Sequence, residues 1–496
     1  MGLDVAGRGA PRPERTALAP GLEISRVVTG LWQVADMERG GRLLDPEAGA
    51  AAMAGYAAAG FDTFDMADHY GSAEIITGHL LQRAEGRGVR AFTKWCPPPG
   101  PMTPQAVRDG VRRSLDRMRT SRIDLMQFHW WTFEHPGWID AMTELARLRE
   151  EGLIGEIGLT NFDTAHLRVL LAEGIPVVSN QICLSLLDRR ATGAMAALCA
   201  QRGVKLLAYG TLGGGFLSER WLGAAEPAEV GDWSKMKYSR FIREIGGWAA
   251  LQGVLQAAHR IAQRHGVSIA NVATRWVLEQ PAVAAVIVGA RLGEREHRDD
   301  NLRLFGFALD DEDRQALAQA FAGTRAIPGD CGDEYRKPPF LTASGDLSHH
   351  LDALPPVWAP QPVARRDGAT PRQRVDTGSA WEPLAGYSRA VRSGNRILVS
   401  GTTATHGSGR LIGAGDAAAQ ATYILDKIAA SLGALGGRLE DVVRTRVYLT
   451  HLDDWRGVSE VHGRVFGDIR PANTLLQVAG LVGEGYRVEI EAEAEI

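Results

Sequence analysis

Three residues of this chain have the types and spacing for proton transfer: Asp65, Tyr70 and Lys94. Asp65 closes a stretch that reads as a short buried strand, Phe61 to Phe64. Tyr70 follows on a loop, and a second such stretch, Val89 to Thr93, delivers Lys94. A tyrosine with an unperturbed pKa of about 10 is a poor acid at neutral pH. Beside a lysine ammonium, itself held by a carboxylate, it exchanges its proton far more readily. A lone Asp after a strand is more often a turn or cap residue, so the set carries the reading and no single member does.

The elements that must position these residues repeat along the chain. From Ile24 onward, short apolar strands alternate with amphipathic helix patterns. VVTGLWQV precedes PEAGAAAMAGYAAAG, FDTFD precedes SAEIITGHLL, and VRAFTKW precedes PQAVRDGVRRSLDRM. DLMQFHWW, IGEIGLTNF and VVSNQICLSLL each lead into a helix pattern, as do VKLLAYGTLGGGFL and VAAVIVGAR, the last with a helix near Glu294 to Leu302. Eight such units over about 300 residues predict an α/β fold, a (β/α)8 TIM barrel with its chemistry at the carboxyl ends of the strands. No GxGxxG follows the first strand, which lowers the dinucleotide-binding open-sheet alternative.

The stretch from Gly60 to Lys94 resembles the active-site segment of the aldo-keto reductases, and IDLMQFHWW supplies the histidine that completes the family's set, His129. The resemblance implies Tyr70 as general acid, Lys94 lowering its pKa, Asp65 holding Lys94, and His129 orienting a carbonyl. It also implies a cofactor, NADPH/NADP. GEIGLTNF supplies Asn161 and VVSNQ supplies Gln181 for the nicotinamide amide, and Tyr209 stands where the family stacks an aromatic ring. Gly210, Leu212 and the glycines after them would let backbone approach a pyrophosphate, although Gly213–Gly215 taken alone is only a flexible turn. VIVGARLGEREHRDDNL resembles the adenosine-phosphate segment, with Gly289, Arg291 and Asn301 matching it. Arg291 and Arg295 are candidates to clamp a 2′-phosphate with paired donors. Trp95, Trp130 and Trp131, next to Lys94 and His129, are read as an apolar substrate wall joined by Trp32. A tryptophan is as readily core, but adjacency favours the pocket.

The bulk properties set bounds. The chain has 496 residues and a formal net charge of −4, enough length for two domains and no basic run that suggests nucleic acid. Four cysteines without CxxC spacing point to reduced thiols, and neither a secretory signal nor a membrane-spanning run is seen, so a cytoplasmic location is expected. Residues 1–20 are read as a flexible lead-in, 21–328 as the barrel, 329–377 as a loop that folds back over the barrel mouth and then a Pro-rich linker, and 378–496 as a second domain. His349 and His350 lack a third ligand at metal spacing, so no metal is expected.

After Gly378 the pattern becomes strand, strand, helix, strand, helix, strand, strand, a compact α+β unit. Its helix AAAQATYILDKIAASLGALG is read as amphipathic. GYSRAV, ILVSGTT, RPANTLLQV and VEIEAEA resemble the recurring segments of the Rid (YjgF, enamine-deaminase) family, whose fold is chorismate-mutase-like. The resemblance implies a homo-oligomer, a trimer with ligand clefts between subunits, and Tyr387, Gly401, Asn473 and Glu491 as cleft positions. Asn473 stands where imine-hydrolysing members carry a carboxylate-binding Arg, and it cannot supply that charge. Glu491 is equally well a solvent-facing strand residue. The leading reading is an NADPH-dependent reductase of a small carbonyl compound. The alternatives are a bifunctional imine-processing enzyme and a cofactor-binding redox sensor.

Overall fold

The computed structural model describes residues 12–34, 41–294, 296–336, 354–364 and 366–496. A hairpin comes first, β1 (Arg15–Ala19) against β2 (Leu22–Ser25). Then come β3 (Val27–Gly30), β4 (Thr63–Asp65), β5 (Arg90–Trp95), β6 (Ile123–His129), β7 (Ile154–Thr160), β8 (Val177–Cys183), β9 (Lys205–Tyr209) and β10 (Val283–Gly289). They pair in chain order, all parallel, and β10 closes on β3 into the expected barrel.

Six helices each follow a strand: α1 (Pro46–Ala58), α2 (Ala73–Leu81), α3 (Pro104–Met118), α4 (Gly137–Glu150), α5 (Thr164–Ala172) and α6 (Ala194–Arg202). Three more lie between β9 and β10: α7 (Trp233–Glu244), α8 (Trp248–His265) and α9 (Ile269–Leu278). After β10 come α10 (Arg298–Arg303) and α11 (Asp311–Ala322). Helix starts carry local signals. Thr103 accepts from the Ala106 N–H with Pro104 at the first turn of α3, and Asp163 accepts from the His166 N–H at the start of α5. Every residue of β7 is buried, as a parallel strand covered on both faces requires.

Two expectations about the barrel's surroundings need correction. The lead-in expected over residues 1–20 is structured from Arg15: Leu18, Ala19, Leu22 and Ile24 are buried with Val28, Phe92, Leu125 and Leu207, so the hairpin plugs the end of the barrel where the strands begin. Residues 1–11 lie outside the described residues. The tract 329–377 is also more than loop and linker. A short helix, α12 (Asp333–Arg336), packs on the barrel mouth, while β11 (Gln361–Pro362) and β12 (Arg372–Val375) extend the second domain's sheet. In β12 only Val375 is buried, so its composition resembles a linker while its backbone completes the edge of a sheet. His349 and His350 lie outside the described residues.

The second domain continues with α13 (Trp381–Ala385), β13 (Ala390–Ser393), β14 (Arg396–Thr402), α14 (Ala417–Ala434), β15 (Val442–Leu449), α15 (Trp455–Phe466), β16 (Ala472–Gln477) and β17 (Val488–Glu495). From β13 this is the expected order of elements. The sheet runs β11-β12-β13-β14-β17-β15-β16, antiparallel except for β15 with β16. Helix α14 is buried on nearly every side, not amphipathic as expected, because it is sandwiched between its own sheet and α5 of the barrel. Ion pairs cross that junction, Arg168 to Asp416 at 2.7 Å and Arg410 to Glu173. Among the described residues no helix is long and apolar enough to cross a membrane.

Candidate active site

Asp65 ends β4 and Lys94 lies near the end of β5, each only 3% exposed. A lysine ammonium so deep is costly unless paired and hydrogen-bonded. Lys94 Nζ donates to Asp65 Oδ2 at 2.6 Å and to the Met66 carbonyl at 2.8 Å. The other carboxylate oxygen, Oδ1, accepts from Gln127 Nε2 at 2.9 Å and Gln181 Nε2 at 2.7 Å. With its acceptors used, Asp65 fixes Lys94 in place, 4.9 Å from the centroid of the Tyr70 ring. Trp32 and His69 meet that ring edge-on, at 4.9 and 4.8 Å between centroids.

His129 ends β6 on the same rim. Burial first, then Arg336, with His69 and Lys237 adding to it, hold it well below the ordinary histidine range, so its imidazole is neutral near pH 7. Its Nε2 is buried, has no hydrogen-bond partner among the described residues and belongs to a residue that lines the cavity. Asn161, just past β7, adopts a φ of 57°, a left-handed conformation that Asn tolerates better than most residues. Its Oδ1 accepts from the Tyr209 hydroxyl at 2.8 Å. Burial pushes that hydroxyl well above its ordinary pKa, so it stays a donor.

One cavity of about 1100 Å³ runs from this cluster past Gly210, Leu212 and Gly214 to Gly289, Arg291 and Asn301. Gly210 has φ 72°, and a Cβ there would lie 2.2 Å from the Tyr238 hydroxyl, so the cavity wall at this point is bare backbone by steric necessity.

The family model described as the aldo/keto reductase family matches residues 26–321, and that described as Endoribonuclease L-PSP matches residues 377–496. An aldo-keto reductase of Mycobacterium sp. (strain KMS) is 29% identical over 64% of this chain and 96% of its own length. A RutC family protein of Pyrococcus horikoshii is 32% identical over 25% of this chain and 97% of its own. The structure of the glycerol dehydrogenase of Gluconobacter oxydans covers 62% of this chain and 94% of its own at 22% identity, with a TM-score of 0.50, a likeness of fold. The chain belongs to the aldo/keto reductase family, and carries a second, Endoribonuclease L-PSP (YjgF-like) domain at its C-terminal side.

The reductase barrel sorts the residues expected at its site. Asp65, Tyr70, Lys94, His129, Asn161, Gln181, Tyr209, Gly210, Leu212, Gly289, Arg291 and Asn301 all line the one cavity, as do Trp32 and Trp131. Trp95 and Trp130 do not. Both are buried outside the barrel wall: a Cβ on Gly110 of α3 would strike the Trp95 ring at 2.5 Å, and Trp130 stacks on Phe128. Each follows an inward-facing residue by one position, and strand alternation turns it outward; Trp131, two after His129, faces in. Gln181 has its amide nitrogen engaged by Asp65 and Gln127, not free for a ligand. Arg295 lies outside the described residues. Gln127, Lys237 and Tyr335 were not foreseen. The first shares a strand face with His129, a period-two signal; the other two come from α7 and α12, with no motif to announce them.

In the YjgF-like domain the four expected positions do not converge within one chain. Tyr387 accepts from the buried Arg389 at 3.2 Å. A Cβ on Gly401 would lie 1.9 Å from Glu489 Oε1, so Glu489 rather than Glu491 is the carboxylate seated there. Glu491 accepts from Tyr448 Oη at 2.6 Å and Arg446 at 2.9 Å on the open sheet face. Asn473 is paired with Thr445, which is buried toward the helices, so it sits on the opposite face from Glu491.

Proposed function

We propose that the barrel is an NADPH-dependent reductase of an aldehyde or ketone. The observation that supports this reading best is the buried Asp65–Lys94 pair set under Tyr70, with the neutral, unpartnered Nε2 of His129 on the same cavity. The residues present fit the cofactor: bare backbone at Gly210 suits a pyrophosphate, Asn161 and Gln181 Oε1 suit a carboxamide, and the Arg291 guanidinium suits a 2′-phosphate. When bound, the reduced nicotinamide supplies a hydride to the carbonyl carbon. The chain does the rest. His129 orients the carbonyl oxygen, and Tyr70 gives its phenolic proton to the developing alkoxide. Lys94, held by Asp65, stabilises the phenolate left behind. Trp32, Trp131 and Tyr335 wall the substrate and exclude water.

The YjgF-like domain, in this reading, assembles the enzyme into trimers and does not hydrolyse amino-acid imines, since Asn473 lacks the charge for a carboxylate. Its open sheet face carries exposed Leu398 and Leu476, while the other face is covered by helices, one of them packed on the barrel. Sedimentation should give three times the chain mass; a monomer sinks this part. Four unpaired thiols, all buried, accord with a cytoplasmic enzyme. The reductase reading is tested by NADPH consumption against a panel of aldehydes, ketones and dicarbonyls, wild type beside Tyr70→Phe. Turnover that survives the substitution would remove Tyr70 from the mechanism.

A further inference from the structure

Helix α5 carries a buried histidine whose two ring nitrogens meet carboxylates from different domains. His166 Nδ1 lies 2.7 and 2.8 Å from the oxygens of Asp163, and Nε2 lies 2.9 Å from Asp426 on α14. Asp163 has a second partner from the YjgF-like domain: Arg464 Nη1 of α15, at 3.1 Å. The same nitrogen is 4.0 Å from Asp330 Oδ2.

Asp330 is the root of the segment that crosses the barrel mouth. Its side chain accepts from the Thr164 N–H at 2.9 Å and the Cys331 N–H at 2.7 Å, and its carbonyl accepts from Arg190 at 2.8 Å. Farther along, a Cβ on Gly332 would lie 2.0 Å from the Asn161 carbonyl, so the segment rests directly on that backbone. Arg336 donates to the same carbonyl and to that of Trp130, and its guanidinium lies 4.2 Å over the Phe133 ring. Phe133 in turn stacks on His166, 3.5 Å between centroids and 8° from parallel. Between these anchors, Tyr335 puts its ring 5.4 Å from that of His129 and 6.2 Å from that of Trp131. Arg168–Asp416 and Arg410–Glu173 also join the domains, gripping the exposed side and C-terminal end of α5. Arg464 reaches Asp330, at the root of this segment.

We propose that Arg464 of the YjgF-like domain is a positioning residue for the reductase site: by holding Asp163 and Asp330 it keeps the 330–336 strap, and Tyr335 with it, against the reacting end of the cavity. The inference rests on the reductase reading of that cavity. It makes the second domain part of the substrate wall's support, so that the barrel's apparent affinity for its carbonyl substrate depends on a side chain outside the barrel.

The test uses the full chain with Arg464→Ala, Arg464→Lys and, as the docking control, Arg168→Ala. Loss of a charge-assisted hydrogen bond should speed amide exchange across 330–336 about tenfold in Arg464→Ala. KM for the carbonyl substrate should rise about tenfold with kcat changed less than about twofold, the pattern of lost ground-state positioning. Arg464→Lys should recover most of both, and Arg168→Ala should match wild type. Unchanged exchange in Arg464→Ala, or the same change in Arg168→Ala, would overturn the proposal. Should Arg464→Ala not fold, Asp330→Asn cuts the link from the barrel side and must give the same pattern. Absence of turnover in the wild type would defeat the reductase reading, while exchange across 330–336 still decides the role of Arg464.

Discussion

At the scale of single residues, a buried lysine ammonium sits beneath a tyrosine ring. Lys94 is satisfied by Asp65 and a carbonyl, and Asp65 is satisfied by two glutamines, so in the proposed mechanism the charge would stay where it is while the tyrosine gives up its proton. Tyr70→Phe should therefore lower kcat/KM by about 10²–10⁴, the usual worth of a positioned general acid. NADPH binding, followed by protein fluorescence, should stay close to wild type, because the cofactor contacts proposed here lie on other residues. Loss of binding together with rate would assign Tyr70 to the cofactor site instead. Asp65, Tyr70 and Lys94 were legible because each stands at or just past a strand end within one short stretch. Trp95 and Trp130 stand next to Lys94 and His129 in sequence, but side chains alternate along a strand, so adjacency turns them away from the cavity.

Among the elements, the loop after β9 is where backbone geometry and ligand fit are most tightly joined. Gly210 combines φ 72° with a blocked Cβ position against Tyr238. Gly210→Ala should cost about 1–3 kcal/mol of stability for the forced conformation. It should also weaken NADPH binding, since Tyr238 must shift within the wall of the same cavity; thermal unfolding and a binding titration read the two effects. An unchanged midpoint and affinity would mean that the loop is slack. The barrel's strands and most of its helices were readable, since each alternates an apolar run with helical periodicity. The β1–β2 hairpin and β12 were not. Both are short segments, β12 a mostly polar one, whose role is to plug an opening or complete an edge, and that need exists only once the rest has folded.

For the whole molecule, the junction between the domains sets the pH dependence. Burial alone would lower His166, but Asp163 and Asp426 outweigh it and hold the imidazole above its ordinary range. A raised folded-state pKa stabilises the docked form fully below about 6.5 and loses that contribution as pH rises through the raised value. Burial alone would raise Asp163, but Arg464 and His166 outweigh it and keep it well below the usual carboxylate range, so its contribution is lost only in acid. Asp426, Asp330, Arg464 and Arg336 complete the charges facing this pair. The docked arrangement should therefore be firmest near pH 5–6.5 and loosen on the alkaline side, a trend that limited proteolysis can follow and that His166→Gln should flatten. A stability that climbs with alkaline pH would contradict the charged imidazole. Domain composition and order could be read from the sequence, but the docking of α14 on α5 could not: Asp163 and His166 lie in one domain, and their partners Asp426 and Arg464 lie far along the chain in the other. The claim that joins the three scales is hydride transfer within the barrel. NADPH deuterated at the transferring carbon should deliver its label to the carbonyl carbon of the product, and Tyr70→Phe should suppress that labelled product. NADPH consumption with no deuterium in the product alcohol would contradict the account at its centre.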